Sequence, residues 1–117
     1  MNLDTFREHC LAKPGVTEEF PFGPDTLVYK VNGKMFALTN VDEFDGINLK
    51  CDPEEAVMLR EQYPAVQPGY HMNKKHWITV VMDGSISDKL IKLWTDQSYI
   101  LVAKKTPSSP KKAKKRK

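Results

Sequence analysis

Two histidines, two lysines, an asparagine, a tyrosine and a tryptophan fall within the eight residues Tyr70, His71, Met72, Asn73, Lys74, Lys75, His76 and Trp77. No other stretch of the chain gathers so many donors and flat rings. Pro68 and Gly69 interrupt regular structure just before it, and a β-branched run begins at Trp77. The segment therefore reads as an exposed loop feeding a strand, the setting in which binding residues concentrate.

Three chemistries can be asked of such a loop. Nucleophilic catalysis lacks its local signature, because no Gly-x-Ser-x-Gly or comparable elbow occurs. Cys51 lies just before a helix start, where the helix dipole can lower a thiol pKa. A small buried residue closing a strand is the simpler reading of it. Metal binding fares little better: His71 and His76 stand five apart with no cysteine or carboxylate between them, and His9 is remote. Zinc sites need three or four ligands at recognisable spacing. Polyanion contact suits the residues best. Lys74 and Lys75 can neutralise phosphate, Asn73 can hydrogen-bond a base edge, and the rings of Tyr70 and Trp77 can stack, although Trp77 opens a strand and reads equally as core. The expectation is accordingly no enzyme, no metal and no cofactor.

The charge is unevenly spread. Residues 104–117 hold eight of the eighteen lysines and arginines and no acid, a formal +8. Residues 1–103 hold ten basic and fifteen acidic residues, a formal −5. An acidic domain joined to a basic arm is expected, the arm (Lys111, Lys112, Lys114, Lys115, Arg116 and Lys117 above all) being able to lie along nucleic-acid backbone without reading sequence. It lacks apolar residues to bury, so it reads as disordered. An acidic body repels DNA overall, which argues against tight binding without the arm.

The elements that must hold the loop follow from spacing. Leu3, Phe6, Cys10 and Leu11 mark a helix, capped by Asn2 and stopped at Lys13-Pro14-Gly15. Thr17 to Pro24 reads as a loop whose Phe20 and Phe22 lid the core. Asn32-Gly33 joins strands 26–31 and 34–39 in a type I′ hairpin. Residues 46–51 alternate like a strand with one wet face. Asp52 caps a second helix, with Pro53 at its first position and Glu55 completing a capping box. A strand from Trp77 to Met82 and a last helix through Leu90, Trp94 and Val102, capped by Ser85 or Ser87, complete one domain over 1–103. The pattern predicts an α+β fold, an antiparallel sheet of four to five strands covered on one face by about three helices. Lys30 and Lys34 then flank the hairpin turn as a basic wing, and Lys50 shares the wet face.

Several pieces in this order resemble the bacterial MmcQ/YjbR family: Cys10 to Gly15, the Tyr29 to Ala37 hairpin, Asn48-Leu49-Lys50-Cys51, Pro68 to Val80 with Asp83-Gly84-Ser85, and Asp96 to Tyr99. The resemblance spans about residues 1–103. It implies a fold similar to bacterial frataxin (CyaY-like) and a DNA-binding surface of the double-wing kind. A frataxin-like fold also suggests iron on an acidic ridge, but the first helix offers only Asp4 and Glu8 for one.

Together these readings predict a monomeric cytoplasmic protein that contacts DNA with little or no sequence preference. The contact residues are Lys30, Lys34, Lys50, Tyr70, His71, Asn73, Lys74, Lys75 and His76, together with the arm. The alternative is a module that binds an acidic protein or a small anion. Cys10 and Cys51 form no C-x-x-C pair and read as reduced thiols. No apolar run is long enough for a membrane span, and no secretory signal is visible at the start.

Overall fold

The computed structural model describes residues 1–69 and 72–104. Its chain order is α1 (Leu3–Leu11), β1 (Val16–Glu19), β2 (Thr26–Val31), β3 (Lys34–Asn40), β4 (Gly46–Lys50), α2 (Pro53–Gln62), β5 (Val66–Pro68), β6 (Trp77–Val81) and α3 (Asp88–Lys104). The strands form one sheet in the order β1-β2-β3-β4-β6-β5, with every neighbouring pair antiparallel. The predicted α+β class holds, with six strands where four or five were expected. The two extra strands are short edges: β1 lies in the stretch read as a loop, and β5 precedes Gly69. Neither is long enough to show an alternation in sequence.

Local chemistry explains the boundaries. The Asn2 side chain accepts from Thr5 N at 2.8 Å and opens α1. Asp52 caps α2 by accepting from Glu54 N at 3.2 Å, with Pro53 at the first position as predicted. Ser87 rather than Ser85 caps α3, accepting from Leu90 N, because it stands directly before the first helical residue, Asp88; Ser85 donates its N–H and hydroxyl to Asp83. Asn32 and Gly33 both have positive φ (55° and 77°), as a type I′ turn requires. Helix α3 runs one residue past the expected boundary, to Lys104.

Residues opposite one another across antiparallel strands share a face, so the register divides the sheet. Tyr29, Ala37, Leu49 and Ile78 form one row across four strands. That row faces the helices and joins Phe6, Cys10, Ile91, Trp94 and Val102 in the main core. A register shift after Tyr29 lets Phe36 and Ala37, adjacent in sequence, both enter this core. The next row, Glu19, Val28, Leu38, Asn48, Thr79 and Gln67, faces away from the helices. This open face has its own small cluster of Val28, Leu38 and Trp77, flanked by Met35 and Met72.

The expectation that Phe20 and Phe22 lid the core is overturned, since both rings are largely exposed, at 50% and 62%. Phe44 closes that end instead, packing on Phe6 with ring centroids 6.1 Å apart. Edge strand β1 is clamped elsewhere: Arg7 of α1 grips Glu18 with two bonds of 2.8 and 3.0 Å, and Tyr29 OH donates to the same carboxylate. No helix among the described residues is long and apolar enough to cross a membrane.

Candidate functional site

Strand direction decides which side chains meet. Strands β2 and β4 run toward one end of the sheet, and β3 and β6 start from it, so Lys30, Lys34, Lys50 and Trp77 lie at that end. The loop leading into β6 lies there too. Gly69 makes the loop possible: its N–H donates to Trp77 O at 3.2 Å, and a Cβ at this position would stand 2.7 Å from Trp77 Cβ. No residue but glycine fits that approach.

Beyond it the turn is built by its own polar groups. Asn73 Oδ1 accepts from Lys75 N at 2.9 Å, and Asn73 O accepts from His76 N at 3.1 Å. His76 O accepts from Cys51 N at 2.8 Å, tying the turn to the end of β4. Arg60 Nη1 reaches Lys74 O from α2. Asn73 is therefore first a turn former, with its side-chain carbonyl used in the turn. Lys74 and Lys75 stand exposed at the tip, and His76 is half-buried.

The other cations differ in availability. Lys34 is exposed beside the Asn32-Gly33 turn. No carboxylate pairs with Lys34, Lys74 or Lys75 among the described residues. Lys30 is partly neutralised by Glu19 of β1, 3.1 Å away. Lys50 Nζ lies 5.3 Å from the centroid of the Trp77 ring. Trp77 itself is only 5% exposed, so of its two readings, a stacking platform and a core residue opening a strand, burial favours the second: the ring is covered by Lys50 and by the small open-face cluster. Tyr70 and His71 lie outside the described residues, as do Lys111, Lys112, Lys114, Lys115, Arg116 and Lys117.

At the opposite end the charge reverses. Asp25, Asp42, Glu43 and Asp45 gather around the β3–β4 connection, which Asn40 folds by accepting from Asp42 N and Glu43 N. Val41 N bonds Asp25 O, and Met82 N bonds Asp45 O, drawing the start of β2 and the end of β6 into the group. Hydrogen bonding to Asp42, then like-charge repulsion from it, pushes the Asp25 carboxyl above its ordinary value.

Between the two ends the open face is hollowed into a groove of about 760 Å³, lined by Phe22, Leu38, Met72 and Val81 with Asn40, Asn48 and Thr79. Thr79 Oγ1 donates to Asn48 Oδ1 at 2.6 Å, so the Asn48 side chain meets other groups through its amide as a donor. In sequence, Asn48 stands out only within a motif, Phe22 reads as a lid on the core, and Thr79 carries no signal of its own. The alternation of β4 was the available signal for Asn48, whereas the path of the loop carrying Phe22 had none.

The remaining candidates for chemistry are quiet. Burial, then the nearby Glu55 and Asp52, pushes the Cys51 thiol up to about 11, so the helix start does not activate it. Burial raises the Cys10 thiol too, and both are free. Asp96 receives His9 Nε2 at 2.7 Å and the Lys13 ammonium. Burial works to raise that carboxyl, but the two donors outweigh it and hold it below the usual range. No three His, Cys, Asp or Glu side chains among the described residues are grouped to hold a metal ion.

The family model described as YjbR matches residues 11–101. The Escherichia coli O157:H7 protein YbdF is 41% identical over 102 residues, covering 85% of this chain and 82% of its own. The Escherichia coli K12 protein YjbR is 34% identical over 113 residues and 96% of each chain. A crystal structure of a Deinococcus radiodurans protein superposes with a TM-score of 0.85 at 40% identity, covering 92% of this chain and 83% of that one.

Proposed function

The chain belongs to the YjbR family, and from that premise we propose that it is a non-enzymatic, monomeric cytoplasmic protein that associates with DNA through the cationic end of its sheet and its basic C-terminal arm. One observation carries the reading. Lys34, Lys50, Lys74 and Lys75 lie at one end of the sheet although the body is acidic overall, and Asp25, Asp42, Glu43 and Asp45 gather at the other end. A local concentration of cations on rigid strand ends gives phosphate a place to dock, and the arm adds eight positive charges, counting Lys104, that need no fixed geometry.

Contacts of this kind position a duplex without specifying its sequence. The test is a salt titration of the full chain against duplex DNA. If about four phosphates are neutralised, log K falls against log salt with a slope near −3.6. A chain ending at Lys104 keeps every described element and loses most of that slope. Its remaining low-salt amide shifts fall on residues 30–34 and 72–77. Binding that ignores salt overturns the reading, and so does a shortened chain whose shifts lie elsewhere.

A further inference from the structure

The open-face groove of about 760 Å³ is a feature that phosphate contact does not use. Its wall is apolar, from Phe22, Leu38 and Met72, and its floor is the Asn48–Thr79 pair, with Asn40 at the carboxylate end. Phe22 is 62% exposed and lines the groove. Asn48 and Lys50 lie on the same face of β4, two residues and therefore about 7 Å apart. A cation and an amide donor at that separation match the two ends of one nucleotide, phosphate and base.

The carboxylates at the far end set the direction. Asp45 lines the groove, with Asp25 and Asp42 beyond, so a phosphate is repelled there and attracted at the lysine end. A flat, neutral heterocycle has no such conflict. It can lie against Phe22 while its ring carbonyl or ring nitrogen accepts from the Asn48 amide. Within a paired duplex these base edges are occupied and the ring faces are stacked, so only an unpaired base can enter.

We infer that the open face of the sheet takes one unpaired base of a single-stranded nucleic acid, with the phosphate of that nucleotide held at the lysine end. This rests on the DNA-association reading and narrows it to strands that expose a base.

The experiment titrates the full chain at fixed salt with three probes of equal length: an oligothymidine strand, an abasic strand with the same backbone, and a duplex. The basic arm contributes alike to the first two, so their difference reports the groove. The thymidine strand should bind at least about fivefold tighter than the abasic one, the scale of a single stacked base. Phe22→Ala, at an exposed loop position, should remove most of that difference and leave abasic binding unchanged. Asn48→Ala should act in the same direction, and if it impairs folding the Phe22→Ala comparison decides alone. Equal binding of the two strands, or a preference for duplex, overturns the base pocket and leaves the lysine end as a phosphate contact. Absence of salt-dependent binding to all three overturns both.

Discussion

The two ends of the open face are built by the same device and carry opposite charge. At each, an asparagine side chain accepts backbone N–H groups to fold a turn: Asn73 at the lysine end, Asn40 at the carboxylate end. Lys74 and Lys75 project from the first turn, Asp42 and Glu43 from the second. Strand β4 separates them by four residue steps, about 14 Å. That exceeds the Debye length of about 10 Å at 0.1 M salt, so each end presents its own field. A net charge of −5 for the body therefore says little about what approaches either end. Net charge governs long-range encounter, and turn placement governs contact.

The strongest way to break the comparison is to remove the backbone approach that holds the lysine end. Gly69→Ala puts a Cβ 2.7 Å from Trp77 Cβ, an overpacking cost of about 1–3 kcal/mol. Urea denaturation should show the loss, and amide shifts should concentrate on residues 66–80 while the Asn40 turn stays as it was. A variant as stable as the parent would mean that the loop does not depend on this contact.

A smaller effect sharpens it. Lys74→Ala with Lys75→Ala strips exposed charge from the first turn without touching the bonds that fold it, all of which use backbone or the Asn73 side chain. Stability should change by less than about 0.5 kcal/mol. The DNA salt slope of a chain ending at Lys104 should fall toward zero, by up to about 1.8 if both lysines contact phosphate. Asp42→Asn, at the other turn, should leave that slope nearly intact. Equal losses from the two changes would show that only total charge matters.

How legible this was depends on the distance over which each feature is specified. The hairpin, both predicted caps on α1 and α2 and the helix face of the sheet follow from neighbours in sequence, and the pattern Asn32-Gly33 or Asp52-Pro53 carries its own geometry. The lysine end was half legible: the loop residues are contiguous, but their meeting with Lys34 and Lys50 needs the strand order. Trp77 was open to misreading because its burial comes from the opposite side of the sheet to the main core, under Lys50 and beside Leu38. Phe22 was read wrongly because a loop bracketed by Pro21 and Pro24 gives no hint of which end of the sheet it covers. The carboxylate end joins Asp25 to Asp42, seventeen positions away, and only register reveals that pair.

The smallest expected effect concerns acid, and it separates the carboxylates of the open face from those beneath the helices. Glu18 is held below the ordinary value by the Arg7 hydrogen bonds, against burial and with help from Tyr29, and Asp96 is also held low. For a depressed carboxyl the folded state binds protons less readily than the unfolded chain. The stability it contributes is present above the ordinary carboxylate value and lost as pH falls through the depressed one. Asp25 has the reverse sign, because its folded value is raised by Asp42. Its contribution improves as pH falls through the raised value toward the ordinary one. Glu18→Gln should therefore lower stability at neutral pH and flatten the acid limb of a stability–pH curve. Asp25→Asn should raise stability slightly at neutral pH, with the gain vanishing in acid where Asp25 is already protonated. Denaturation midpoints across the carboxylate range for the parent and both variants test this. If Asp25→Asn gives the same gain at every pH, its repulsion with Asp42 is not what distinguishes that end of the sheet.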